Sequence, residues 1–196
     1  RREIMDERVN QWLAEYRGGN TEALARIVEE YRRPLFGFIL SMLTNKGEAN
    51  EIFQEVWLRA IRHLPPYREK RFLSWLFRIA HNLMIDRARK AKPIVELPPG
   101  NGDKDDALDR LAIARGIGPD REAAGRDLGT RIATAVGTLP PEQKEVFLLR
   151  THGDVPFKDI ARIQGVSINT ALGRMQYALA KLREMLKQDY DALAGG

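Results

Sequence analysis

From Thr21 to Lys92, and again from about Asp120, apolar residues return every three or four positions, and no segment alternates convincingly with period two. That spacing stacks side chains on one face of an α-helix and cannot line one face of a strand. The chain is therefore expected to be all-α. Asn20 or Thr21 is placed to cap a helix carrying Leu24, Ile27, Val28, Tyr31 and Leu35, and Pro34 is expected to kink or divide it. After a break at Asn45-Lys46-Gly47, a second run puts Ile52, Val56, Ala60 and Leu64 along one side. The prolines that follow Leu64 cannot continue a helix and stop it there.

Composition changes at Lys92. The segment KPIVELPPGNGDKDDALDRLAIARGIGP is rich in Pro, Gly and Asp, and DKDDALD holds four acids against one lysine. About 28 residues of this kind are too many for a loop inside one compact domain. The expected organisation is two small helical domains, residues 1–92 and 119–196, joined by a flexible linker over 93–118, with a short helix at Asp105–Ala114.

Several function classes fall away on residue types alone. There is no cysteine, so disulfides, thiolate zinc sites and thiol catalysis are excluded together. His63, His81 and His152 are scattered, with no metal-ligand spacing, and Gly100–Lys104 lacks the full phosphate-loop pattern. No catalytic residue, metal or cofactor is expected, and the chain does not read as an enzyme. No apolar run approaches the roughly 18 residues of a membrane span. The start, RREIMDERVNQW, has no apolar signal-peptide core. A cytoplasmic protein without membrane insertion is the expectation.

Charge points to a partner. The chain carries +5 overall, yet Arg59–Lys92 holds ten Arg or Lys against only Glu69 and Asp86, leaving +8 in that stretch. Such a concentration suits a polyanion, because basic side chains release counterions condensed on nucleic acid. The helix within it, WLFRIAHNLMIDRARK, is divided. On a helical wheel Phe72, Leu76, Ile79, Ala80 and Leu83 make a core side, while Trp75, Arg78, Asn82, Asp86 and Arg89 line the other. Aromatic, amide and guanidinium groups on one stripe suit unpaired bases, base edges and phosphates. A solvated face with Trp75 tucked against the preceding loop fits the same pattern.

The C-terminal segment shows a second division of labour. A helix beginning at Leu139-Pro140-Pro141 ends at Gly153; another, Phe157–Gln164, is stopped by Gly165, and Ser167 caps a long third one. Two helices joined by so tight a turn form a helix-turn-helix signature. Ile168, Leu172, Met175, Leu179, Leu182 and Leu186 repeat with a period near 3.5 and are expected to hold the long helix to its domain. Asn169, Thr170, Gly173, Arg174, Tyr177 and Lys181 would face outward. A stand-alone helix-turn-helix regulator, dimeric through the leucine seam, would satisfy this segment alone.

Two stretches together resemble the extracytoplasmic-function (ECF) group of bacterial sigma factors, the promoter-recognition subunits of RNA polymerase. GEANEIFQEVWLRAIRHL with FLSWLFRIAHNLMIDRARK is similar to their second conserved region, and LPPEQKEVFLLRTHGDVPFKDIARIQGVSINTALGRMQYALAKLRE to their fourth. The resemblance implies a factor that binds core RNA polymerase and directs promoter recognition, −10 element melting and transcription initiation. Glu51, Ile52, Gln54 and Glu55 would dock on the polymerase clamp. Arg68, Lys70 and Arg71 in the loop, with Trp75, Arg78, Asn82, Asp86, Arg87, Arg89 and Lys90 on the helix, would hold the opened −10 element. Ser167, Asn169, Thr170, Arg174 and Tyr177 would read the −35 element. A restraining anti-sigma factor is a further implied partner. The chain departs from the family pattern at Leu172-Gly173-Arg174, where a Lys-Ser-Arg-like run is common, and at His81, a commonly basic position.

Overall fold

A computed structural model of the chain describes residues 2–43, 45–64, 71–91 and 123–187. Every regular element among them is a helix: α1 (Arg2–Arg17), α2 (Thr21–Met42), α3 (Lys46–His63), α4 (Phe72–Ala91), α5 (Ala123–Gly137), α6 (Pro141–Gly153), α7 (Phe157–Gln164) and α8 (Ile168–Met185). The all-α expectation holds. The expected short helix at Asp105–Ala114 and the linker lie outside the described residues.

Local chemistry sets the boundaries. The Asn20 side chain accepts from the Glu22 amide at 3.1 Å, Asn45 from Glu48 at 3.1 Å, and Ser167 from Thr170 at 3.0 Å. Each such cap satisfies an amide with no partner inside its helix and contributes about 1 kcal/mol. Gly165 ends α7 at φ 64°, a left-handed conformation that glycine adopts without steric cost. Pro34 does not divide α2, which runs unbroken through it. An interior proline costs about 3 kcal/mol, and burial of Ile27, Tyr31, Leu35 and Phe38 on the same helix offsets it.

Helix α1 begins before the pattern read in the sequence. Val9 and Leu13 are buried and Trp12 and Tyr16 half-buried, a short stripe that lies along α2. Its other side is polar, and the Arg8 guanidinium sits 4.9 Å from the Trp12 ring centre.

Helices α2, α3 and α4 surround a core of large rings. Phe72 stacks obliquely on Tyr31 at 5.3 Å and on Trp75 at 5.4 Å, and Phe38 meets Phe77 edge-on at 4.9 Å. In the C-terminal half, α6, α7 and α8 pack on one another, and α5 closes against α8. The two halves also pack together. Helix α6 lies along α2 and touches α4, α7 lies on α4, and their buried apolar residues join into one continuous cluster. At the crossing, Gly153 leaves room for the Phe77 ring; a Cβ there would overlap its edge.

Candidate nucleic-acid interface

Helix α4 presents three faces, not two. Phe72, Leu76, Ala80 and Leu83 are buried toward α2 and α3, as their spacing requires, while Ile79 is half-buried. Asn82, Asp86 and Arg89 are exposed along the opposite side, with Arg78 half-buried at the head of that stripe, and Lys90 is exposed near the end of the helix. Trp75 was expected on this surface, but it is only 8% exposed and packs on Phe72. An indole has too much apolar area to leave in water when a ring cluster lies within reach. The surface that remains is polar and basic, without its aromatic.

The third face meets the C-terminal half. Arg71, Ser74, Arg78 and His81 recur at spacings of three, four and three, with Phe77 beside them. Arg71 donates to Asp159 at 2.9 Å, and His81 Nδ1 lies 2.6 Å from Oε1 of the buried Glu145. With Glu145 ionised, that ring nitrogen carries the proton and donates. The other Glu145 oxygen accepts from Gln164 at 2.8 Å, and Gln164 in turn accepts from Arg174 at 2.8 Å. A line of hydrogen bonds thus runs from α4 to the helix expected to read duplex DNA. A carboxylate as buried as Glu145 would cost several kcal/mol without these partners.

The contact of this face with the C-terminal half was not read in the sequence, although a signal existed. At 100° per residue, Leu73, Phe77 and Met84 widen the apolar arc of α4 to about 160°. One packing partner needs an arc of roughly 100°. The excess marked a second partner.

Farther along α4, Arg87 bonds Glu51 and lies 3.5 Å from Glu48, both on α3. The hydrogen bond to Glu51, with the charges of Glu51 and Glu48 behind it, raises the guanidinium above the ordinary arginine value. Arg87 therefore ties α4 to α3 at the edge of the exposed stripe. On α3, Glu51 and Gln54 are exposed and Glu55 pairs with Arg59 at 2.9 Å. Ile52 is 2% exposed and belongs to the core, so the acidic surface is made by its neighbours. Arg68 and Lys70 lie outside the described residues.

Helix α8 places Asn169, Thr170 and Tyr177 in solvent, Tyr177 at 70% exposure. Ser167 is exposed but committed to its cap, and Arg174 is half-buried and committed to Gln164. The expected leucine seam is displaced. Among its members only Leu182 is buried; Met175 and Leu186 are half-buried, and Ile168, Leu172 and Leu179 are exposed. The buried line is Ala171, Ala178 and Leu182 with Met175 between them. Alanine lets the backbones of α6 and α7 come close, so the contact is rotated by about one residue from the leucine reading.

Comparison with known proteins assigns both halves. Residues 27–94 match the family described as Sigma-70 region 2, and residues 130–182 the family described as Sigma-70, region 4. The chain is 27% identical over 185 residues to the ECF RNA polymerase sigma factor SigW of Bacillus subtilis, covering 93% of this chain and 99% of that protein. It is 25% identical over 185 residues to BldN of Streptomyces coelicolor, covering 93% and 67% respectively. Among solved structures, the sigma factor RpoE in complex with the anti-sigma factor NepR, from Bartonella quintana, superposes with a TM-score of 0.61 at 18% identity, covering 85% of this chain and 98% of that one. CnrH in complex with the cytosolic domain of CnrY gives 0.60 at 23% identity, with 94% and 97% covered. The structural likenesses establish the fold.

Proposed function

The chain belongs to the extracytoplasmic-function group of RNA polymerase sigma factors, and from that premise we propose how its surfaces divide the work. Residues 1–92 form the domain that binds core polymerase and the −10 element, 93–118 the tether, and 119–196 the domain that binds the −35 element. The acids of α3, exposed Glu51 and half-buried Glu55 with exposed Gln54 between them, form the polymerase-facing surface. Complementary charge steers such an encounter and fixes its register. The exposed stripe Asn82–Asp86–Arg89 of α4, with Lys90 near its end, holds the opened strand, and Asn169 and Thr170, at the N-terminal turn of α8, contact base edges as recognition helices do. Trp75 contributes by fixing the position of α4 from within, since its ring lies in the core.

The observation that carries this reading is the pairing of two DNA-suited helix faces, on α4 and α8, in segments that each match a sigma region. None of it requires bond-breaking chemistry by this chain, whose part is binding, so it acts without being an enzyme. Absence of a helix long and apolar enough to cross a membrane, among the described residues, is in keeping with action on cytoplasmic polymerase. The complex of RpoE with the anti-sigma factor NepR supports an anti-sigma partner for this chain too. Arg71 and Arg174 are engaged by Asp159 and Gln164 in the packed arrangement, so promoter engagement exchanges those contacts for phosphate and base contacts.

In vitro transcription with core polymerase and a promoter library tests the proposal. Specific initiation should require both core enzyme and this chain. Duplex binding by a dimer without polymerase, and no specific initiation with it, would instead mark a stand-alone regulator. Asn82→Ala should slow promoter opening, read by permanganate reactivity of unpaired thymines, while polymerase affinity stays within about twofold. Equal loss of both would remove α4 from the strand-holding role.

A further inference from the structure

The exposed stripe of α4 carries one large side chain that is neither polar nor basic. Ile85 is 40% exposed, and among the described residues it is the only large apolar side chain of that helix left in solvent. At 100° per residue it lies about 60° from Asn82 and about 40° from Arg89 around the helix. Asn82, Ile85, Asp86 and Arg89 thus stand at i, i+3, i+4 and i+7, the spacing of surface neighbours, and all four are exposed. The partners that α4 packs against are met elsewhere. Phe72, Leu76, Ala80 and Leu83 face α2 and α3, while Phe77 and His81 meet the C-terminal half.

A single exposed isoleucine needs no explanation by itself; its neighbours supply one. Arg89 and Lys90, both exposed, suit phosphates. Asn82 and Asp86 suit base edges instead, because an amide both donates and accepts, whereas a carboxylate accepts from a base amine and is repelled by phosphate. The apolar parts of a nucleic acid are the thymine methyl group and the faces of unstacked bases. On a helix that holds an opened strand, the face is what the strand presents.

We propose that Ile85 packs against the face of an unstacked base of the opened −10 strand, beside the base edges met by Asn82 and Asp86. It supplies the apolar contact that Trp75, buried in the ring cluster, does not make. The proposal deepens the strand-holding role of α4 and rests on it. An aliphatic side chain against a base face discriminates open from closed promoter rather than one base from another. The contact forms only after a base has left the duplex, so it shifts the opening equilibrium and leaves closed-complex affinity alone.

The test uses core polymerase reconstituted with the full chain on a promoter taken from the library. With Ile85→Ala, permanganate reactivity of unpaired thymines should fall about fivefold, the scale of losing the partial burial of one isoleucine. Affinity for a single-stranded −10 oligonucleotide should fall by about the same factor, with closed-duplex and core-polymerase affinities unchanged. Ile85→Leu should open the promoter as well as the parent, and Ile85→Lys should not, although it adds a cation. Full opening with lysine would mean that the position needs only charge, and overturns the inference, as does unchanged opening with alanine. Loss confined to the closed duplex would assign Ile85 to a thymine methyl in the major groove, and overturns it equally. Because the side chain is exposed, the alanine variant should keep the urea midpoint of the parent; should it fail to fold, Ile85→Gln carries the same comparison. Asn82→Ala separates the two possible failures. If it slows opening and Ile85→Ala does not, the inference alone falls; if neither does, the strand-holding role of α4 falls with it.

Discussion

Helices α4 and α8 each carry a face suited to DNA, yet they are anchored in opposite ways. Helix α4 is held by bulk: Phe72, Trp75, Leu76 and Phe77 are all buried, and two groups of helices close on it from different sides. Helix α8 is held by small residues, with Ala171 and Ala178 at the contact, and leaves Ile168, Leu172 and Leu179 in solvent. The width of an apolar arc reports how many partners a helix has. It does not report which apolar residues make the contact, because close backbone approach can favour alanine over leucine.

The sharpest way to break this contrast is to empty the second face of α4. Phe77→Ala removes a fully buried ring that touches both Phe38 and the α6 crossing at Gly153. Loss of a buried phenyl group costs about 3–5 kcal/mol, and chemical denaturation should show a loss of that order. A cost below about 1 kcal/mol would mean that the ring is not packed as described. A smaller, more selective test acts from the other side of the same contact. Gly153→Ala introduces a methyl group into the Phe77 ring edge without demanding a new backbone conformation, since the φ of Gly153 is not positive. Overpacking of this kind costs about 1–3 kcal/mol. The variant should lose about that much and unfold in two steps where the parent unfolds in one. An unchanged, single transition would show that the halves touch without stabilising each other.

What could be read in the sequence follows the range of the interaction concerned. The helix-turn-helix boundaries were legible because Gly165 and Ser167 act within a few residues of themselves. So were Asn20 and the break at Asn45, and the core stripe of α4, whose large apolar residues admit one phase. Pro34 does not divide α2, because its local cost is offset by burial contributed from other helices. Trp75 could be placed in the ring cluster only once Phe72 had a position in space. In the candidate site, the exposed Asn82, Asp86, Arg89, Asn169, Thr170 and Tyr177 lie where their spacing put them. The engagements of Arg71, His81 and Arg174 were hidden, since their partners Asp159, Glu145 and Gln164 are 88, 64 and 10 positions away.

The smallest expected effect separates the two accounts of α8. If leucines formed the seam, Leu172→Ala would open a cavity and cost about 2–5 kcal/mol. In the structure Leu172 is 38% exposed and its neighbour Ala171 is fully buried. Truncating Leu172 then forfeits little burial, and alanine's higher helix propensity recovers part of it, so stability should stay within about 0.5 kcal/mol. Ala171→Leu supplies the converse, because it pushes a larger side chain into a contact built on close approach and should cost about 1–3 kcal/mol. Urea midpoints for the two variants, taken with unchanged slopes, decide the matter. A large loss at position 172 with tolerance at 171 would rotate α8 by one residue and turn Asn169 and Thr170 away from the surface assigned to them.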